Sequence, residues 1–151
     1  TPRFFSKRNF WVVNWVDYLF AYKIQKLQNI CLRFSYNINY RDHLTGHYKH
    51  LNILKMEHVY LCQYLRLIYN VINNSSPKYL ESLLTKRCDI HNVNVRFSHL
   101  YSIPQHSCAK FEKCFEYKAA SLYNKYCDKF TSSTTIRSFK SNLKLLFLNW
   151  M

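Results

Sequence analysis

The sequence predicts a mostly α fold, a small helical bundle of four to five helices with a long irregular connection. Three observations support this. Apolar residues recur at three- and four-residue spacing through four stretches of the chain, the period of a helix that buries one side. Turn-forming residues gather where that period lapses. Hydrophobic residues make up 48% and aromatics 18% of the 151 residues, far too apolar for disorder and enough to fill a core.

The first helix is expected from about Asp17 to Phe34. Leu19, Tyr22, Leu27, Ile30, Cys31 and Phe34 form its apolar stripe, while Lys23, Lys26 and Arg33 take other faces. From Asn37 to His50 no steady period holds, and the Asn, Asp, Thr and Gly content reads as a loop or short turns. A second helix is expected from about Lys55 to Ile72, with Leu61, Tyr64, Leu65, Ile68, Val71 and Ile72 facing the core. The run Asn73-Asn74-Ser75-Ser76-Pro77 ends it. Tyr79 to Leu84 fits one or two turns, since Pro77 stands at a position that favours helix initiation.

Between Thr85 and Lys110 the pattern fails, and Pro104 with scattered His, Asn and Ser predicts an extended connection. At about 25 residues it is longer than an idle loop, so it is either packed down or functional. Periodicity returns from Phe111 to Tyr126 through Phe115, Ala119, Leu122, Tyr123 and Tyr126. For the last helix Ser133, Thr134 or Thr135 supplies the cap. Ile136, Phe139, Leu143, Leu146, Phe147 and Trp150 fall on one face of that helix, and Arg137, Lys140 and Lys144 on another. No internal repeat is visible at periods of roughly 20 to 50 residues.

Charge is the strongest compositional signal: 22 Lys and Arg against 8 Asp and Glu, a formal net charge of +14. Such a surface favours a polyanion, because each phosphate neutralised by a Lys or Arg releases condensed counterions. The charge is spread along the chain, at Lys23, Lys26, Arg137, Lys140 and Lys144 among others, which points to nucleic acid ahead of a membrane surface. Aromatic residues interleave with basic ones, as in Phe4-Phe5-Ser6-Lys7-Arg8 and Tyr36 to Arg41, a mixture that can stack bases while pairing phosphates. Tyr40, Tyr48 and Tyr101 look exposed, whereas the aromatics on helical stripes read as core.

Several chemistries lack their residues. Nucleotidyl transfer needs clustered carboxylates to hold metal ions, but Asp17, Asp42, Asp89 and Asp128 lie far apart and no Asp-Asp pair exists. Gly46 is the only glycine, so no phosphate cradle can form. No Cys–His pair stands out as a nucleophile and base. His91, His99, His106, Cys108 and Cys114 could suggest zinc, yet Cys108 to Cys114 is C-x5-C and His106 to Cys108 is H-x-C, unlike the close pairs of structural sites. The expectation is therefore no catalytic residue, no metal site and no cofactor.

The basic start at Arg3, Lys7 and Arg8 precedes an apolar run, Phe10 to Phe20, that Asn14 and Asp17 interrupt. It suits neither a signal peptide nor a membrane span. Cys31, Cys62, Cys88, Cys108, Cys114 and Cys127 are then expected as free thiols in a reducing compartment, intracellular, nuclear or cytoplasmic and not secreted. An opening Thr1 suggests a piece of a larger product. Cys31 and Cys62, on the apolar faces of their helices, are expected in the core.

From Lys23-Ile24-Gln25-Lys26-Leu27-Gln28-Asn29 onward the chain resembles the region downstream of the catalytic palm in reverse transcriptases of non-LTR, jockey-like retrotransposons. The series IQKLQNICLRF, RDHLTGHYKHLNILKMEHVYLCQYLRLIYNVI, SSPKYLESLL and IHNVNVRFSHLYSIPQHSCAKFEKCFEYKAASLYNKY keeps the family's order. The resemblance runs from about Tyr22 to Leu148. Val95 stands where the family usually has Thr, Tyr123 where it often has Trp, Gly46 where Pro is common, and Cys108 near a frequent Arg-Thr pair.

The resemblance implies part of an RNA-directed DNA polymerase without its catalytic aspartates. Its divisions are a weakly matching leader (1–21), a thumb-side helical region (22–84), the irregular connection (85–110) and a C-terminal helical pair (111–151). Implied partners are RNA and DNA, bound independently of sequence, and upstream polymerase domains of the same polyprotein, with no membrane; the parent enzyme would use Mg. Lys26, Arg41, His43, His91, Asn92, Asn94, Arg96 and Asn124 match the family pattern. The nucleic-acid-binding set is Lys23, Lys26, Arg33, Arg41, Arg96, Arg137, Lys140 and Lys144. His43, His91, Asn92, Asn94 and Asn124 form the structural set, with the His91 to Arg96 segment ordering the connection through hydrogen bonds to backbone. The alternatives are a helical protein-interaction module and a non-functional retroelement relic.

Overall fold

The computed structural model describes residues 18–73, 75–90 and 96–150, and of Tyr18, Leu19 and Phe20 only the backbone. The leader before Tyr18 and the motif residues His91, Asn92 and Asn94 lie outside the described residues. The fold is mostly α: α1 (Tyr18–Tyr36), α2 (Thr45–His50), α3 (Met56–Ile72), α4 (Lys78–Glu81), α5 (Arg87–Ile90), a 3-10 turn (Phe111–Lys113), α6 (Phe115–Thr131) and α7 (Ile136–Trp150). Among the described residues there is no strand, only an isolated antiparallel bridge between Lys86 and Tyr101. The chain divides into two compact units, one holding the residues up to Gln63 and those from Ser141, the other Tyr64–Lys140.

In the first unit α1 is turned over relative to its expected orientation. Leu27 and Ile30 are both 61% exposed and Phe34 is 90% exposed, with Tyr22 and Cys31 exposed as well. The inward side carries Leu32 and three amides. Gln25 Oε1 accepts from the Met56 N–H (2.8 Å), Gln28 Nε2 donates to the Leu54 carbonyl (3.0 Å), and Tyr48, 1% exposed, donates to Asn29 Oδ1 (2.7 Å) while accepting from Gln25 Nε2 (2.8 Å). The reason is backbone satisfaction. The turn entering α3 and the first N–H of that helix have no secondary-structure partner, and only polar side chains can supply one.

Cys31 is therefore not a core residue, and Tyr48 is not exposed. Cys62 is part-buried, and burial pushes its thiol up to about 11. In a mass-spectrometric alkylation time course on the native chain at about pH 8, Cys62 is expected to react on the order of tenfold or more slowly than Cys31. Equal rates would show that α1 buries its apolar side after all.

Two left-handed asparagines shape this unit. Asn37 (φ 49°) ends α1, where the Ile38 N–H bonds back to the Arg33 carbonyl (3.0 Å). Asn52 (φ 59°) ends α2, where the Ile53 N–H reaches the Tyr48 carbonyl (3.0 Å). Both are the six-to-one bonds of a helix terminator, at positions where Asn tolerates the left-handed region better than most residues. The stretch read as loop or turns thus contains a true helix, too short for its period to register. Phe147 of α7 is fully buried in this unit and stacks on His58 at 5.2 Å.

The second unit has an aromatic core. Phe139 lies 4.6 Å from Tyr69 and 4.9 Å from Phe130 between ring centres, and Phe130 is 4.9 Å from Tyr123. Tyr64, Leu65, Ile68, Val71 and Ala119 are buried around it, in keeping with the predicted stripes of α3 and α6. Thr135 is the residue that caps α7: Ser138 N–H donates to Thr135 Oγ1 (3.2 Å) and Thr135 N–H to Ser138 Oγ (3.3 Å). Helix α6 starts later than Phe111 and continues beyond Tyr126 through a kink there (φ −119°, ψ 20°). At the far end of α7, in the first unit, Trp150 is 60% exposed rather than buried with its stripe.

The connection is irregular and packed down. Ser102 N–H bonds to the Thr85 carbonyl (2.9 Å) and Arg87 N–H to the Leu100 carbonyl (2.9 Å), a narrow clasp between the start of the connection and residues 100–102. Asn124 of α6 holds the middle of the segment, donating from Nδ2 to the Tyr101 carbonyl (2.9 Å) and accepting the Tyr101 N–H at Oδ1 (3.0 Å). Tyr101 is buried at 6% exposure, not exposed as its sequence context suggested. Burial first, then Tyr123, Glu81 and Asp89, push its phenol up to about 12.

Candidate nucleic-acid interface

On the outer side of α1 the helical period brings Lys26, Ile30, Arg33 and Phe34 into line. The turn after the helix returns Ile38 and Tyr40 beside them, and Asn29 completes a groove of about 790 Å³. Among the described residues no carboxylate lines it. Tyr40 is 86% exposed and Phe34 90% exposed, so two aromatic rings stand in water at the edge of a positively charged groove.

Arg33 organises this site. Its guanidinium donates from Nη1 to the Asn39 carbonyl and from Nη2 to the Asp42 carbonyl (2.9 Å), with its Cζ 5.6 Å from the centre of the Tyr40 ring. Asn39 Oδ1 in turn accepts the Arg41 N–H (3.3 Å). A guanidinium has five donors, and these bonds engage two of them. Arg33 is thus less an open phosphate contact than the residue that fixes the loop bearing Tyr40. Two turns earlier, Lys26 Nζ lies 4.5 Å from the centre of the Tyr22 ring, a cation–π contact at the surface.

A second cleft of the same unit, about 410 Å³, is lined by Arg33, His43, Tyr48 and Lys55 but also by Asp42 and Glu57. Its mixed charge makes it a poorer seat for a polyanion. His43 stands there exposed.

The other predicted cations are dispersed. Lys23 and Arg41 are exposed in the first unit. Arg137, Lys140 and Lys144 are exposed along α7, on average about a quarter turn away from Phe139, Leu143 and Phe147. Arg96 is exposed next to residues outside the description. Among the described residues, Lys23, Lys26, Arg33, Arg41, Arg137, Lys140 and Lys144 form no ion pair with a carboxylate, and His58–Glu57 (3.9 Å) and His106–Glu112 (3.3 Å) are contacts between an imidazole and a carboxylate.

Sequence reasoning named Lys26 and Arg33 and weighed Tyr40 as a stacking residue. It missed Phe34 and Ile38, because Phe34 sits on a stripe that reads as core. The available signal was the second stripe of the same helix, Gln25, Gln28 and Asn29, whose amides suit an inward face that must satisfy backbone.

Among the described residues no group of three or more His, Cys, Asp or Glu could hold a metal ion. No helix among them is long and apolar enough to cross a membrane. These features define a class, a basic, mostly α chain with an exposed aromatic and cationic groove. Compared with family models, curated proteins and solved structures, the chain matches none.

Proposed function

We propose that this chain is a non-catalytic, thumb-side piece of a mobile-element reverse transcriptase that binds RNA and DNA without reading their sequence. The observation that carries the binding function is the groove on α1, with Lys26, Arg33, Phe34 and Tyr40 at its walls and no carboxylate among its described lining residues. The exposed cations without carboxylate partners supply the rest of the attraction, since nothing within the described chain neutralises them. The family assignment is supported by the ordered series of motifs from Tyr22 to Leu148, and upstream polymerase domains would contribute the chemistry.

A helical module that docks on a partner protein is the rival, favoured by the exposed Leu27, Ile30 and Phe34. Lys23, Lys26 and Arg33 interleave with those residues and would have to be desolvated in an apolar interface, which is costly without paired acids.

The test is a titration of a labelled RNA by the whole chain at several salt concentrations. If about four phosphates are neutralised, affinity for a single strand is expected to fall roughly fiftyfold between about 50 and about 200 mM monovalent salt. Binding that is insensitive to salt, or no binding at the lower concentration, rejects the proposal.

A further inference from the structure

We infer that the groove on α1 takes an unpaired nucleic-acid strand, its bases stacking on Phe34 and Tyr40 while Lys26 meets the phosphates and Arg33 holds the loop that presents Tyr40. This rests on the nucleic-acid reading above and narrows it to single strands in preference to duplex.

Aromatic rings exposed as fully as Phe34 and Tyr40 offer flat π-faces to whatever enters the groove. In a duplex the faces of the bases are already stacked on one another, and only edges, sugars and phosphates are presented. An unpaired strand leaves its base faces free, and stacking on aromatic side chains is tolerant of sequence because every base has such a face. The rings therefore gain nothing from a duplex and much from a single strand.

The groove is also built before any ligand arrives. Asn37 turns the chain at the end of α1, and Arg33 ties the returning loop at the Asn39 and Asp42 carbonyls. Its guanidinium lies against one side of the Tyr40 ring. With Tyr40 86% exposed, the opposite side is left for a base. A preset platform avoids the ordering cost of a free loop. Charge selects the occupant: Lys26 and Arg33 line the groove, no carboxylate of the described residues does, and the whole chain carries +14. At about 790 Å³ the space falls within the roughly 300–1,000 Å³ typical of ligand clefts, ample for bases side by side.

The experiment compares the full chain with its Phe34→Ala, Tyr40→Ala double variant by fluorescence anisotropy. The probes are a labelled oligouridylate, a blunt duplex of equal length, and phosphatidylserine vesicles in a parallel sedimentation assay. Both side chains are exposed, so circular dichroism should show unchanged helix content. The expected result is that the parent chain binds the single strand more tightly than the duplex. The double variant should lose about tenfold or more on the single strand while its duplex affinity stays the same. Quenching of a 2-aminopurine base placed in the strand should be strong with the parent chain and weak with the variant.

Equal affinity of parent and variant for the single strand overturns the stacking inference while leaving salt-dependent nucleic-acid binding intact. A parent chain that prefers duplex overturns it too. Failure to bind either nucleic acid at low salt defeats the underlying reading, and vesicle binding without strand binding would assign the groove to an anionic lipid surface instead.

Discussion

Replacing Phe139 by alanine is expected to lower the free energy of unfolding by about 3–5 kcal/mol, a large part of what a domain of this size has in total. The side chain is fully buried, and its ring meets Tyr69 at 4.6 Å and Phe130 at 4.9 Å. Truncation removes the transfer energy of the ring and also leaves a cavity between two rigid aromatics that cannot collapse to fill it. Their stacking against Phe139 is lost as well. Urea denaturation followed by circular dichroism measures the effect as a lower midpoint with an unchanged slope. Phe34→Ala is the matched control. That residue also lies on an apolar stripe at helical spacing, but at 90% exposure its loss should change stability by no more than about 0.5 kcal/mol. Similar costs for the two substitutions would mean that the placement of α1 is wrong.

The second large effect is expected from Asn124→Ala, about 2–3 kcal/mol. Asn124 satisfies both the N–H and the carbonyl of Tyr101, and alanine leaves these two backbone groups without partners beside a buried side chain. An orphaned buried polar group costs more than the net value of the hydrogen bond that served it. The same substitution should release the connection locally. Hydrogen exchange at the Tyr101 amide is expected to rise sharply while the amides of α3 keep their protection relative to the lowered global stability. Asn124→Asp is the informative companion. It retains an acceptor for the Tyr101 N–H but sets a carboxylate against the Tyr101 carbonyl, so it should destabilise too. An Asn124→Ala chain with wild-type stability and wild-type exchange at Tyr101 would refute the clamp.

Much of the architecture was legible before any coordinates. The periods of α3, α6 and α7, the breaker run at Asn73 to Pro77 and the capping residues before Ile136 are local features. They follow from spacing and from the chemistry of helix ends, and a short window of sequence contains all the information they need. The two bonds of Asn124 to Tyr101, 23 residues away, lie beyond any such window. The excess of basic residues and the scarcity of carboxylates could likewise be read from composition alone.

What required the folded chain was the choice between two faces of one helix. Residues Tyr18–Tyr36 carry both an apolar stripe and an amide stripe, and local periodicity ranks the apolar one as inward. The decision went the other way because the backbone at Leu54 and Met56, distant in sequence, needed the Gln25 and Gln28 amides, and Tyr48 needed Gln25 and Asn29. Unsatisfied buried polar groups cost enough to outweigh the burial of a few apolar side chains. Tyr48 and Tyr101 were misplaced for the same reason, since their burial depends on elements that lie 19 to 23 residues away. The groove with Phe34 and Tyr40 at its rim is a consequence of that long-range demand, and no local pattern in the sequence encodes it.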